Sequence, residues 1–403
     1  MTTSWAPVPD GSPFPLQNLP YGVFAGAGDD QPRIGVAIGD GVLDLAAALR
    51  AEDAGMAESF RQASLNGLLA AGPLRWSALR ERVTGLLTDE RHRRAVEPAL
   101  LPADGLRMLL PFEVGDYVDF YSSEQHATNL GRIFRPAEEP LKPNWKHLPV
   151  GYHGRAGTVV VSGTPVARPC GQRRPAGADA PGYGPSTRLD IEAEVGFVVG
   201  VPSRLGSRVP TTAWREHVFG VVVVNDWSAR DIQAWEYVPL GPFLGKSFAT
   251  SVSPWVVPLA ALEPAFVEPP GQHPQPLPYL RPSGPGLAVD LEIRLNGHLV
   301  SRPPFAGMHW TPAQQLAHLT VNGASLRTGD LYASGTVSGP EADQRGSLIE
   351  LTWNGETPLA LPDGTARVFL DDGDTVSITG WATDAAGARI GLGTVTGTIL
   401  PAR

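Results

Sequence analysis

The chain has 403 residues, 42% of them hydrophobic and 18% charged, with 41 acidic and 32 basic side chains and a formal net charge of −9. That length exceeds what one core usually serves, so two domains are expected, and the apolar content excludes a disordered chain. The acidic balance leaves no extended basic face for phosphate backbones, which excludes nucleic acid as a partner. The single cysteine, Cys170, cannot form an intrachain disulfide. No signal-peptide pattern and no apolar run long enough to span a bilayer is seen, so the expectation is a cytoplasmic address without a membrane partner.

In chain order, Tyr21 to Phe24 and Arg33 to Ile38 are short β-like pieces separated by Gly/Asp turns, and they suggest a compact β module. From Leu43 to Leu87 apolar residues such as Leu45, Leu49, Phe60, Leu65, Leu68 and Leu69 recur at helical spacing, with Gly72-Pro73 as a break. These helices are expected to pack on the module. Beyond Leu101 short strands alternate with Gly/Pro turns, which describes a large, loop-rich β domain. The strands anticipated are Thr158 to Ser162, Leu189 to Val199, Phe219 to Val224, Leu287 to Arg294, Ser347 to Trp353 and Thr375 to Thr379. The Pro-rich stretch Glu268 to Pro285 reads as an irregular surface excursion, because proline removes ladder donors.

Several segments carry polar groups that packing does not require. Gly115 to Asn129 crowds Asp119, Tyr121 and His126 together. A lone histidine is usually structural, but a carboxylate and a phenol within seven residues change the odds. In Leu189 to Phe197 the apolar residues alternate with Asp190, Glu192 and Glu194. A strand places Glu192 and Glu194 on one face about 7 Å apart, either as a solvated face or as half of a metal cage. Val221 to Asp226 is a buried-looking strand ending in a carboxylate. Ser228 with Asp231 resembles a capping box, and the helix beyond it aligns Arg230 with Gln233, Tyr237 following two turns later. Lysine occurs only at 142, 146 and 246, which makes Lys246, inside an apolar stretch, informative. Glu350, an acid between apolar neighbours, needs a partner; beside His126 it would orient the imidazole.

Six segments acquire meaning together: Asp119 to His126, Pro149 to Arg155, Leu189 to Glu194, Asn225 to Gln233, Trp235 to Phe248 and Ser334 to Gly339. In order and spacing the chain resembles the fumarylacetoacetase (fumarylacetoacetate hydrolase) family over nearly its whole length. The resemblance implies a mainly β, α+β chain: a small SH3-like domain with helices at 1–114, then a large mixed β-roll catalytic domain at 115–403, assembled as a homodimer. It implies hydrolysis of the carbon–carbon bond of 4-fumarylacetoacetate to fumarate and acetoacetate, the last step of tyrosine and phenylalanine catabolism through homogentisate. The family's metal ligands fall on Asp119, Glu192, Glu194 and Asp226, hard oxygen donors suited to Ca²⁺ or Mg²⁺. A second, magnesium-type position involves Asp226, Lys246 and Thr250.

The same resemblance places the general base on His126 and its orienting acid on Glu350. Oxyanion and leaving-group stabilisers fall on Arg230, Gln233 and Lys246, and the contacts to a small diketo acid on Tyr121, Arg135, Tyr152, Gln233, Tyr237 and Thr336. Two positions depart from the animal members: Glu124 stands where they carry a basic residue, and Ala249 replaces a glycine beside Thr250. Glu124 would therefore alter the charge near His126. Relatives sharing the cage but running acylpyruvate hydrolysis, oxo-acid decarboxylation or hydration are the alternative reading.

Overall fold

The computed structural model describes residues 3–26, 28–50, 57–175, 177–384 and 386–403. The stretch 51–56, inside the region read as helical, lies outside them.

The run of valines at 221–224 decides the architecture. Val221 and Val223, with Val195 and Phe197 of the neighbouring strand, face one core, while Val222, Val224 and Val198 face another. A strand covered on both faces has no polar alternation to show, which is why the sequence there is continuously apolar. Val218–Asp226 pairs antiparallel with Ala193–Val199 on one side and with Thr250–Val252 and Trp255–Pro258 on the other. Around it grows a large sheet that runs from Leu100–Pro102 through Gly41–Asp44, Asp29–Ile38, Tyr21–Gly26 and Trp255–Pro258 to the central pair. It continues through Leu331–Ala333 and Tyr117–Phe120 to Gly151–His153.

A second sheet, in the order His298–Ser301, Val289–Leu295, Thr375–Thr383, Arg389–Leu400 and Val166–Ala167, packs on one face of the first. Leu291, Ile293, Ile378, Leu392 and Val395 enter the core that Val221 and Val223 line. On the opposite face the Pro73–Thr88 helix, with buried Leu79, Val83, Leu86 and Leu87, shares a core with Val222 and Val224 and with Val23, Ile34 and Val36 of the same sheet's amino-terminal strands. Trp76 meets Phe219 edge-on at a centroid distance of 5.2 Å, and Tyr21 meets it at 5.6 Å. The amino-terminal strands are not a free-standing sheet: Tyr21 pairs with Val256 across the seam. The described residues form a mixed α+β protein, mostly sheet.

Three local readings are corrected. The expected strand Leu189 to Val199 is two strands, Leu189–Asp190 and Ala193–Val199, broken at Ile191 and Glu192. There the Asn225 side chain accepts from the Glu192 amide at 3.3 Å, and the Glu192 carbonyl accepts from the Asp226 amide, which locally replaces the ladder. Ser347 to Trp353 is not a strand but carries a helix at Leu348–Leu351. Its alternation was ambiguous over so few residues, and Ser347-x-x-Glu350 is itself a helix-start pattern. Ser228 does not cap the helix Arg230–Glu236; it lies in a short strand, and its hydroxyl donates to the Asp226 carbonyl at 3.1 Å. Asp231 instead accepts from Ser186 and Thr187.

The small-residue loop after Leu331–Ala333 turns back on the Tyr117–Phe120 strand at Gly335. There φ is +77° and a Cβ would stand 2.1 Å from the Phe120 carbonyl oxygen. Left-handed backbone and a backbone clash together disfavour any side chain. We expect Gly335→Ala to lower stability by about 1–3 kcal/mol, measured by chemical denaturation; unchanged unfolding would show that the loop yields freely.

Candidate functional site

Strand ends bring four carboxylates to one point. Asp119 stands one residue before the end of the Tyr117–Phe120 strand, opposite Ala333, Glu194 is the second residue of Ala193–Val199, and Asp226 ends the central strand. Glu192 occupies the break in the adjoining strand. All four are buried, and one oxygen from each lies within 4.8 Å of the others.

Their partners are uneven. Glu192 Oε1 accepts from Arg230 Nη2 at 2.8 Å, and the Lys246 ammonium lies against both Glu192 Oε2 and Asp226 Oδ2. Burial would raise Glu192, but Arg230, Lys246 and His126 hold it well below the usual carboxylate range. Asp226 also accepts from Tyr152 Oη at 3.2 Å and Thr250 Oγ1 at 3.4 Å. Asp119 Oδ1 and both Glu194 oxygens are buried without any donor. Burial first, then repulsion from Asp226 for Asp119 and from Asp119 and Asp226 for Glu194, pushes both far above the ordinary range. Buried acceptors are nearly always satisfied, so three orphaned carboxylate oxygens at one point call for a positive ligand. All-oxygen donors fit a hard divalent cation. The buried acidic cluster can hold a metal.

Beside the cluster stands His126, in the first turn of the helix Glu124–Phe134, whose start is fixed by Ser123 Oγ accepting from the His126 amide at 3.2 Å. Its Nδ1 lies 2.7 Å from Glu350 Oε2, and its Nε2 lies 3.6 Å from Glu192 Oε1. Glu350 is fully buried, which alone would raise it. His126 and hydrogen bonds from Asn129 at 2.9 Å and Ser347 at 2.7 Å instead hold it below the usual range. Ser338 Oγ adds a fourth contact at 3.0 Å. An ionised Glu350 accepts only, so Nδ1 carries a proton toward it, and Nε2 is the ring nitrogen that faces the cavity.

That cavity has a volume of about 610 Å³. Besides Asp119, Glu192 and Glu194 it is lined by Tyr121, Arg135, Tyr152, Arg230, Gln233 and Lys246. Thr336 and Tyr237 complete the polar wall, with Leu130, Phe134 and Val150 as an apolar flank. Arg230 Nη1 donates to Gln233 Oε1 at 3.3 Å, which leaves the Gln233 amide nitrogen as that side chain's donor. Thr336 Oγ1 and Arg135 Nε are buried and unpartnered. Burial disfavours the Lys246 ammonium, but Asp226 and Glu192 more than compensate and keep it charged.

Of the site residues read from the sequence, all but three line this cavity; Glu350 contacts His126, Asp226 contacts Tyr152 and Lys246, and Thr250 contacts Asp226. Glu124 does not line it. Its carboxylate pairs with Lys146 at 2.5 Å and lies 3.5 Å from His309 Nδ1. Sequence reasoning missed Asn129, Ser338 and Ser347 around Glu350; only the Ser-x-x-Glu spacing of Ser347 carried a signal.

The "Fumarylacetoacetase N-terminal" family matches residues 17–111, and the "Fumarylacetoacetate (FAA) hydrolase C-terminal" family matches residues 117–400. Fumarylacetoacetase from Homo sapiens is 49% identical over 415 residues, covering 99% of each chain, and that from Caenorhabditis elegans is 48% identical over 420 residues, again covering 99% of each. Among solved structures, a fumarylacetoacetate hydrolase from Exiguobacterium antarcticum superposes with a TM-score of 0.57 at 18% identity, covering 96% of this chain and all of that one. A maleylpyruvate hydrolase from Sphingobium sp. SYK-6, in complex with manganese(II) and pyruvate, gives 0.53 at 16%, covering 96% and 100%. At those identities the structures speak for the fold alone. With both family segments in sequence order and about half of all positions shared along the full length, the chain belongs to the fumarylacetoacetase family.

Proposed function

We propose that this chain hydrolyses 4-fumarylacetoacetate to fumarate and acetoacetate, the closing step of tyrosine and phenylalanine breakdown. The observation that carries the reading is a buried, under-neutralised carboxylate cluster beside a His126–Glu350 pair in one cavity, in a chain 49% identical end to end to human fumarylacetoacetase. Asp119, Glu192, Glu194 and Asp226 would hold a calcium or magnesium ion, with Asp226, Lys246 and Thr250 around a second, magnesium-type position. When bound, such an ion supplies Lewis-acid polarisation of a diketone and charge for the departing enolate, an effect worth several kcal/mol.

The chain's own groups do the rest. His126 Nε2 takes a proton from water as the water oxygen bonds to a carbonyl carbon, and Glu350 stabilises the imidazolium through Nδ1. Arg230, the Gln233 amide and Lys246 donate to the oxygen that gains charge. When the carbon–carbon bond breaks, its electron pair passes to the leaving carbon as an enolate, and the imidazolium is placed to return the proton. Arg135 and Tyr121 clamp a substrate carboxylate, while Tyr152, Tyr237 and Thr336 contact the rest; the unpartnered Arg135 Nε and Thr336 Oγ1 support that reading. Our reading also assigns 1–114 to an SH3-like domain, 115–403 to the catalytic β-roll, homodimeric assembly and a cytoplasmic location. No described helix is long and apolar enough to cross a membrane.

Purified protein mixed with fumarylacetoacetate should bleach the diketone absorbance and release fumarate, lose that activity to a chelator and regain it with Ca²⁺ or Mg²⁺. Activity indifferent to the chelator would remove the metal. His126→Ala should lower kcat by about 100- to 10,000-fold while melting and calcium affinity stay near wild type; near-normal turnover would remove the base. Glu194→Gln should weaken calcium binding by at least tenfold in calorimetric titration, and unaltered affinity would take Glu194 out of the cage.

A further inference from the structure

Asp190 is buried completely and lies outside the cavity lining. It sits in the short strand Leu189–Asp190, opposite Ser228, just before the break that exposes Glu192 to the cage. Both carboxylate oxygens are saturated. Oδ1 accepts from the amides of Ile191 and Leu348, each at 2.7 Å. Oδ2 accepts from Arg230 Nε at 2.8 Å and from the Ile349 amide at 3.1 Å. One side chain thus binds the arginine that reaches Glu192 and the first amides of the Leu348–Leu351 helix, which carries Glu350.

Those contacts form a ring with one open link. From Glu192 the path runs through Arg230 to Asp190, from Asp190 to the helix amides, and along the helix to Glu350 and His126 Nδ1, while Glu192 Oε1 and His126 Nε2 stand 3.6 Å apart across the opening. A helix start is normally capped by its own N-cap side chain. Here the N-cap, Ser347, makes no such bond, and its hydroxyl donates to Glu350 Oε2 at 2.7 Å. Because Asp190 satisfies the amides from 158 residues away in the chain, Ser347 is released to orient the acid.

The geometry points to Asp190 as a positioning residue for the reaction: it fixes the Arg230 guanidinium and the Glu350 helix in one frame, so that the oxyanion donor and the base stay in register. This inference rests on the hydrolytic reading above. Asp190 touches neither the cavity nor the cage, so its removal acts on register and not on binding. Asp190→Asn keeps the shape but turns an amide nitrogen either toward both Arg230 Nε and the Ile349 amide or toward both the Ile191 and Leu348 amides, which removes an acceptor from two donors.

In full-length protein, Asp190→Asn should lower kcat on fumarylacetoacetate by about 10- to 100-fold, the usual effect of losing a supporting hydrogen-bond partner. KM and calorimetric calcium affinity should change far less than kcat, because Asp190 touches neither the cavity nor the four carboxylates. A kcat within twofold of wild type would overturn the proposal, and so would parallel losses of kcat, KM and calcium affinity. The crystal structure of this variant tests the same claim without turnover: Ser347 Oγ should leave Glu350 for the helix amides, and an unmoved Ser347 would overturn it. If the variant does not fold, Asp190→Glu decides, since it keeps the acceptors but lengthens the arm by one methylene: reduced kcat at constant KM supports the register, and wild-type kcat overturns it. Inactive wild-type protein would instead be a failure of the hydrolytic reading, with the Ser347 geometry still judging the ring.

Discussion

Mutual repulsion of buried carboxylates is the constraint on which the rest of the molecule depends. Four acidic groups with oxygens inside 4.8 Å of one another repel, if all are ionised, by on the order of 3 kcal/mol per pair at an effective dielectric constant of about 20. Six such pairs approach 20 kcal/mol, more than the whole net stability of a typical domain, about 5–15 kcal/mol. Lys246 and Arg230 offset the charge on Glu192 and part of that on Asp226, but Asp119 Oδ1 and both Glu194 oxygens have no donor. A cluster so unbalanced is stable only with protons or a cation in it. Retaining so unbalanced a group of acids at one point is understandable as function.

The scaffold makes the cluster possible by spreading its members over separate elements and burying each element twice. Valines on both faces of the central strand lock it between two cores, so its carboxyl end cannot retreat from the charge it carries. The break at Ile191 and Glu192 turns Glu192 toward Arg230, Lys246 and His126, while Glu194 stays in the ladder opposite Val224 with an oxygen close to Asp119. The cavity therefore has a strongly charged floor and, at Leu130, Phe134 and Val150, an apolar flank, a contrast suited to a small acid with a hydrocarbon body.

How much of this was legible differs by residue. The valine run and its terminal Asp226 were readable because burial on two faces removes alternation. Glu192 and Glu194 stood out by spacing, but the local sequence left open whether they were a solvated face or a cage, and the strand break at Ile191 and Glu192 was invisible because Asn225 supplies its hydrogen bond from another strand. Glu350 was placed on a strand because four helical residues hold too little periodicity to separate helix from alternation. Its approach to His126 joins positions 224 apart, which only the family resemblance could suggest. Asp190 read as the third acid in an alternating row, because donors arriving from Leu348 and Ile349 leave no local trace.

The central claim is that one divalent ion sits among these four side chains within reach of His126. A crystal structure of the protein soaked in Mn²⁺, with data collected to give anomalous signal, tests it most directly. The account predicts a strong anomalous peak about 2.0–2.6 Å from oxygens of Asp119, Glu192, Glu194 and Asp226. A protein that takes up manganese elsewhere, or leaves Glu194 facing empty density, would contradict it.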